Sequence, residues 1–216
     1  MFPGLRLRRR SSADAGAVLA AFADPVMAWQ AGEPVVALPT ARRRLAARAE
    51  QWDAGSAFAF AVVDGADAVL GNVAVGAVDR RHRTGWVSYW TTAAARGRGV
   101  ASGGCRAVAA WAFEDAGLFR LELGHRVNNP ASCRVARAAG FAVEGIQRRK
   151  LEYDGVRHDV ERHARPATDP PYRRPCGRGG PPPAGPAPGA PSPPGPGPWC
   201  AAAAGECSSW DSRGAG

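Results

Sequence analysis

The sequence has few of the residue patterns that build disulfide, zinc or membrane-spanning structures. Its five cysteines are odd in number, and no two of them have the CxxC spacing. This pattern indicates neither a disulfide framework nor a zinc site, so no metal is expected. No apolar run reaches the roughly 18–20 residues that a membrane span requires, and the first residues lack the apolar core of a signal peptide. We therefore expect a cytoplasmic protein with no membrane partner.

Lysine is nearly absent, although the chain is basic. Lys150 is the single lysine among 28 basic residues, and the formal net charge is +9. A charge of this sign invites a nucleic-acid-binding interpretation, but no predicted helix has a basic face with interleaved aromatic residues. The abundance of arginine and alanine is typical of a GC-rich coding bias. The charge equally suits an anionic cofactor or an acidic partner, so nucleic acid is not the expected ligand.

Proline is scarce in the first three quarters of the chain and dense afterwards. Of the 19 prolines, 14 lie from Pro166 onward, in a stretch also rich in glycine and alanine. Such a segment has too few large apolar side chains to offset the entropy lost on ordering. The composition therefore predicts one folded domain over residues 1–170 and a disordered tail over residues 171–216.

Hydrophobic periodicity predicts a mixed α/β (α+β) domain of seven strands and four helices. Alternating or β-prone segments predict strands at 5–8, 57–63, 69–78, 84–91, 119–123, 141–147 and 158–165. Apolar residues at helical spacing predict a helix that follows a cap at Ser11 or Ser12 and carries Val18, Leu19 and Phe22, and further helices at 40–52, 100–116 and 132–139. Ligands of such folds bind where strands lead into helices, so the turns at 91–100 and 124–131 are the candidate binding segments.

The turn from Arg96 to Ala101 carries the strongest chemical signal. It reads RGRGVA and lies between a predicted strand and a long predicted helix. The first turn of a helix offers free backbone N–H groups to a phosphate, and glycines let the backbone approach closely. The missing third glycine excludes the dinucleotide fingerprint, and the missing Gly-Lys-Ser/Thr ending excludes a Walker loop. We predict a phosphate-binding turn.

These residues resemble a known family. Arg96, Gly99 and Ala101 match the [Q/R]xxGx[G/A] pyrophosphate loop of the GNAT acetyltransferase superfamily. The NPAS sequence at 129–132, followed by Gly-Phe at 140–141 and Glu-Gly at 144–145, is similar to the NPxS…GF…EG pattern of its RimJ/RimL branch. That branch contains ribosomal-protein N-terminal acetyltransferases and relatives with other acceptors. The resemblance covers about residues 4–170.

The resemblance implies a strongly bent sheet that splays between its fourth and fifth strands and admits acetyl-CoA there. Backbone groups of strand four, together with Asn129, would bind the pantetheine arm. Backbone groups of the glycine-rich turn would bind the pyrophosphate. The implied cofactor-binding residues are Tyr89, Trp90, Thr91, Arg96, Gly97, Arg98, Gly99, Val100, Ala101, Ser102, Asn129 and Ser132.

The catalytic residues are less clearly marked. Many GNAT enzymes place a tyrosine in the helix before Gly-Phe to protonate the leaving thiolate, but Ala136 stands at that position. The RimL type is expected to use a serine, which makes Ser132 the candidate acid. A glutamate follows the Gly-Phe strand in that type; ungapped counting reaches Leu151, and the adjacent Glu152 is the candidate base. His125 lies near the expected acceptor entrance, although isolated histidines are more often structural.

The resemblance implies transfer of an acetyl group from acetyl-CoA to a primary amine by direct attack in a ternary complex. The acceptor expected is a protein N-terminus, as in ribosomal proteins, or a small-molecule amine. A homodimer is compatible with the resemblance. The alternative is a non-catalytic acyl-CoA-binding or regulatory module of the same fold, which Ala136 and the offset at Leu151 leave open.

Overall fold

One seven-stranded sheet organises the chain. The computed structural model describes residues 4–24, 27 and 33–170, so the predicted tail lies outside the described residues. The sheet order is β1-β2-β3-β4-β5-β7-β6, and all neighbours are antiparallel except β4 and β5. The strands are β1 (Arg6–Arg9), β2 (Phe58–Val63), β3 (Val69–Asp79), β4 (Thr84–Thr91), β5 (Arg120–Arg126), β6 (Ala142–Tyr153) and β7 (Val156–Pro166).

Four α-helices within the described ranges 4–24 and 33–170 cover the two faces of this sheet. They are α1 (Ala15–Phe22), α2 (Leu38–Asp53), α3 (Val100–Glu114) and α4 (Pro130–Ala138). The apolar residues of α1 and of the first half of α2 pack in one buried cluster with Trp90, whereas those of α3 and α4 pack in another with Tyr89. Adjacent residues of a strand face opposite sides, so α1 and the first half of α2 lie on one face and α3 and α4 on the other, while Trp52 at the end of α2 packs against Trp111 of α3. In the described part of the chain, no helix has the length and apolarity to cross a membrane.

The apolar stripe of α3 is the predicted one. Cys105, Val108 and Ala112 are fully buried against the sheet. Gly104 brings the helix close, because a Cβ there would lie 3.0 Å from Val62. Burial raises the pKa of the Cys105 thiol, so this cysteine is a packing residue without nucleophilic character.

The sheet opens between β4 and β5, as the resemblance implies. These parallel strands pair only from Thr84 opposite Arg120 to Trp86 opposite Glu122. From Val87 to Thr91, β4 has its ladder partner in β3 alone. A wedge therefore separates the second half of β4 from the end of β5.

The last two strands are longer than the sequence predicts. A strand ending at residue 147 is expected, but β6 continues to Tyr153 and forms a hairpin with β7. Its turn consists of Asp154 and Gly155, both with positive φ, which suits the twist of a two-residue hairpin. The pairing is interrupted between Gln147 and Leu151. Cross-strand pairing with β7 overrides the polar composition of residues 148–153, which alone does not predict a strand.

Candidate active site

The open edge of β4 presents backbone groups to the wedge. Thr92 donates its N–H to the carbonyl oxygen of Leu70 at 2.9 Å, which fixes the side toward β3. Successive N–H groups of a strand point to opposite sides. The N–H of Thr91 therefore points into the wedge, whereas that of Trp90 points to its partner Asn72 on β3. The three predicted contacts are thus not equivalent: by this alternation the N–H groups of Tyr89 and Thr91 point into the wedge, and that of Trp90 points away from it.

The glycine-rich turn leads from the wedge into α3. Gly97 and Gly99 have φ angles of 74° and 75°, a left-handed conformation that L side chains rarely adopt. Gly99 is the residue immediately before α3. Val100, Ala101 and Ser102 belong to the first turn of α3, and their N–H groups have no acceptor within the helix. The turn thus presents free backbone N–H groups at a helix N-terminus, an arrangement that binds anions in other proteins.

The two arginines of this turn have different surroundings. Arg96 is half-buried, and its Nη2 lies 2.6 Å from Oδ2 of Asp24, just beyond α1. Arg98 is exposed to solvent. The ion pair fastens the turn to the segment after α1, so Arg98 is the arginine whose charge is open to a ligand.

Asn129 and Ser132 form one hydrogen-bonded unit at the start of α4. Oδ1 of Asn129 accepts from the N–H of Ser132 at 3.0 Å, and Nδ2 of Asn129 donates to Ser132 Oγ at 3.0 Å. Both side chains are buried, and Ala136, where a tyrosine would stand, is buried too. Because Ser132 Oγ accepts from the amide, its own proton remains available to a ligand.

Glu152 lies in the extended hairpin. It pairs across the strands with Arg157, whose Nε is 2.6 Å from Oε2 of Glu152. Both side chains are about half exposed. The last residue of β5 that pairs with β7 is Arg126, opposite Val160, so this part of the hairpin extends past the end of β5. The structure brings Ser132 and Asn129 together but forms no contact between Glu152 and that pair.

A cluster of four polar side chains lies beneath the start of α4, and sequence reasoning missed it. It comprises His125 of β5, Cys133 of α4, and Glu161 and His163 of β7. His125 Nε2 is 3.0 Å from His163 Nε2, which is 2.9 Å from Oε1 of Glu161. Burial and the adjoining Glu161 raise the pKa of the Cys133 thiol, so the helix N-terminus does not activate it. No local spacing could reveal residues contributed by three separate elements.

A cavity on the opposite face of the sheet is lined by three arginines. Arg10, Arg44 and Arg48 converge there with aromatic and polar side chains of α1 and β4. The guanidinium of Arg10 lies 5.0 Å from the ring centre of Trp90, and that of Arg44 lies 4.9 Å from the ring of Phe22. The sequence shows the arginines but gives no sign that they share a cavity.

Arg10 is the least compensated of these arginines. Its Nε and Nη2 are shielded from solvent and have no hydrogen-bond acceptor in the part of the chain that the structure describes. Burial is the main cause that lowers the pKa of Arg10 to about 10; Asp14 opposes this shift, and the neighbouring Arg8, Arg44 and Arg48 contribute to it. A shielded, unpaired cation of this kind favours an anionic ligand.

Comparison with known proteins identifies the fold. A family model described as an acetyltransferase (GNAT) domain matches residues 4–142, which is more than half of the chain. The chain belongs to the GNAT acetyltransferase family. It is 29% identical over 120 residues to the probable N-acetyltransferase YjcK of Bacillus subtilis, covering 55% of this chain and 66% of that protein. This chain therefore spans slightly less than two thirds of that relative.

Solved GNAT structures share the same fold. The ribosomal-protein-S5-alanine acetyltransferase of Vibrio fischeri superposes with a TM-score of 0.71 and 23% identity, over 78% of this chain and 96% of that one. The spermidine N-acetyltransferase of Vibrio cholerae, in complex with CoA and spermine, superposes with a TM-score of 0.68 and 19% identity, over 77% of this chain and 97% of that one. At these identities the likeness shows the fold of this GNAT domain, and the acceptor has to be argued from its own residues.

Proposed function

We propose that this GNAT protein transfers an acetyl group from acetyl-CoA to a primary amine by direct attack in a ternary complex. The observation that supports this most is the open edge of β4, which adjoins a glycine-rich turn at the N-terminus of α3. An extended pantetheine arm fits such an edge as an added strand, and a pyrophosphate fits the helix N-terminus.

The cofactor contacts divide between backbone and side chain. N–H groups from Gly97 to Ser102 bind the pyrophosphate, and Arg98 adds a positive charge. Arg96 acts through its ion pair with Asp24, which holds the turn in place. Tyr89, Trp90 and Thr91 form the strand edge beside the pantetheine arm, and Asn129 borders it on the α4 side. Most of these contacts use the backbone.

The chemical step requires stabilisation of an oxyanion and of a leaving thiolate. The N–H of Thr91 is the oxyanion donor, because it points into the wedge, where the thioester carbonyl lies in this proposal. The neutral amine attacks that carbonyl, the new C–N bond forms, and the C–S bond breaks. Ser132 donates its hydroxyl proton or a hydrogen bond to the departing sulfur, with Asn129 holding its oxygen in place.

Glu152 is the proposed base, acting through water because it is exposed at the end of the hairpin. A base accepts the amine proton on a carboxylate oxygen, which a neutral amide cannot do. We expect Glu152→Gln to lower kcat by about 100-fold at saturating acetyl-CoA, the lower end of a general-base contribution. Glu144→Gln, which removes an exposed glutamate from the same strand, is the matched control. An unchanged kcat in Glu152→Gln would place the base elsewhere.

The acceptor is expected to carry negative charge near its amine. The cavity of Arg10, Arg44 and Arg48 is bordered by Ser88 and Trp90 of β4, the strand beside which the thioester would lie. Three guanidiniums repel a polyamine such as spermidine and attract a carboxylate. We therefore favour a protein N-terminus followed by acidic residues, ahead of a small-molecule amine that bears a carboxylate.

A coenzyme A release assay over an amine panel tests both the activity and the acceptor class. We expect turnover with peptides that have acidic residues after the N-terminus, and little with their basic counterparts or with spermidine. Arg10→Met keeps the packing on Trp90 but removes the charge, so kcat/KM for the acidic peptide should fall about 10- to 100-fold, the value of one or two charge-assisted hydrogen bonds. Arg42→Met, on an exposed position of α2, should leave it unchanged.

The outcomes of this assay are separable. Turnover with any amine excludes the non-catalytic acyl-CoA-binding module, which the buried Ala136 and the solvent-exposed Glu152 otherwise favour. Acetyl-CoA binding without turnover across the panel would support that module. Equal rates with acidic and basic peptides would contradict the role of the arginine cavity while leaving the acetyltransferase activity intact.

The catalytic domain is proposed to comprise residues 1–170, and residues 171–216 to take no part in the reaction. A cytoplasmic location follows from this proposal, since acetyl-CoA and newly made protein N-termini are both found there.

A further inference from the structure

We propose that His125, Cys133, Glu161 and His163 form a binding site for one divalent transition-metal ion, with zinc as the best match. This site lies beneath the start of α4, and its evidence does not rest on the proposed acetyl transfer. Imidazole, thiolate and carboxylate are the ligand types that zinc takes in proteins.

The spacing of the ligand atoms fits a tetrahedral ion. His125 Nε2, His163 Nε2 and Oε1 of Glu161 are separated by 3.0, 2.9 and 3.4 Å. Ligands about 2.0–2.1 Å from a tetrahedral zinc lie about 3.3 Å from one another. The Sγ of Cys133 completes the set, and all four ligand atoms lie within 4.8 Å of one another. A small adjustment of the cysteine side chain would close the site.

The hydrogen bonds of the two imidazoles orient them as metal ligands. Nδ1 of His125 lies 2.9 Å from the carbonyl oxygen of Arg126, and Nδ1 of His163 lies 3.4 Å from that of Phe141. A carbonyl only accepts, so each Nδ1 carries the proton and each Nε2 has a free lone pair. Metal-bound histidines in proteins are held in this way by backbone carbonyls on the other ring nitrogen.

A cation between these side chains would stabilise their arrangement. Two lone pairs face each other at 3.0 Å with a carboxylate oxygen beside them, and both imidazoles are buried. Such a contact is repulsive unless a positive charge lies between the atoms. Either a metal ion or a proton on one imidazole could supply it. The Sγ of Cys133 favours the metal, because it adds a fourth ligand atom of a type that zinc binds within 4.8 Å of the other three.

The ion would link side chains from three elements that are separate in sequence. It would fasten α4 to β5 and β7 next to Ser132, the residue that precedes Cys133. The consequence is structural, since the ion would hold the Asn129–Ser132 unit against the sheet. Metal binding should therefore raise the melting temperature.

Metal analysis and cobalt(II) titration of the chelator-treated protein test the site. The full chain is used with serine at Cys176, Cys200 and Cys207, so that thiols outside the cluster do not compete. We expect one cobalt per chain, tetrahedral visible bands, a thiolate charge-transfer band and displacement by zinc. Cys133→Ser should remove the charge-transfer band, and Glu161→Gln should weaken binding at least about 10-fold. Both positions are partly exposed, so the variants are expected to fold.

His163→Gln should abolish binding, and the exposed His82→Gln serves as its control. Circular dichroism of each variant confirms that the fold is retained. A folded wild-type protein that binds no stoichiometric zinc or cobalt would overturn the proposal and leave a shared proton as the explanation. Binding that is unchanged in Cys133→Ser and Glu161→Gln would overturn it equally, because the ion would then lie elsewhere.

Discussion

Gly99→Glu is expected to weaken acetyl-CoA binding by about 100-fold while the domain remains folded. Gly99 precedes α3, and the substitution places a carboxylate where the pyrophosphate is proposed to lie. At an effective dielectric constant near 20, two negative charges about 5 Å apart repel by about 3 kcal/mol. That corresponds to a loss of about 100-fold in affinity. Calorimetric titration with acetyl-CoA, alongside circular dichroism, measures the effect.

Backbone strain has to be separated from charge in this experiment. The φ of Gly99 is 75°, so any side chain there is strained by about 1–2 kcal/mol. Gly99→Lys carries the same strain with the opposite charge and is the matched control. We expect it to bind acetyl-CoA far better than Gly99→Glu. A folded Gly99→Glu with wild-type affinity would remove the phosphate-binding role of the turn.

Ser132→Ala is expected to lower kcat with little change in acetyl-CoA affinity. General acid catalysis typically contributes about 10²–10⁴-fold, and a thiolate leaves readily, so we expect about 100-fold. The change also leaves Nδ2 of Asn129 without its hydroxyl acceptor, which should cost about 1–3 kcal/mol of stability. Single-turnover rates and melting curves together separate the two effects.

The matched control is Ser102→Ala, which removes a serine from the first turn of α3, where Oγ bonds the carbonyl of Gly99. It should alter acetyl-CoA affinity and leave kcat nearly unchanged. Should Ser132→Ala instead keep full kcat and lose affinity, Ser132 is a cofactor contact and the leaving thiolate has no side-chain acid.

Much of the glycine-rich turn and of the start of α4 was predictable because their signals are local. The positive φ of Gly99, the helix that follows it and the start of α4 after Asn129 all depend on residues within one turn of each other. The direction of the Thr91 N–H was not predictable. It depends on the bond from Thr92 to Leu70, and hence on the register of β4 with β3. Sequence pattern cannot supply a register between segments about twenty residues apart.

The amino-acid sequence by itself determined the order of strands and helices and the glycine-rich turn before α3, since each is encoded by periodicity or by a short run of residues. Only the tertiary structure decided which distant side chains meet. It placed Arg10 beside Arg44 and Arg48 in one cavity, and His125 beside His163 under α4. These contacts arise from strand pairing and helix docking, which join residues 30 or more positions apart and leave no spacing in the sequence to predict them.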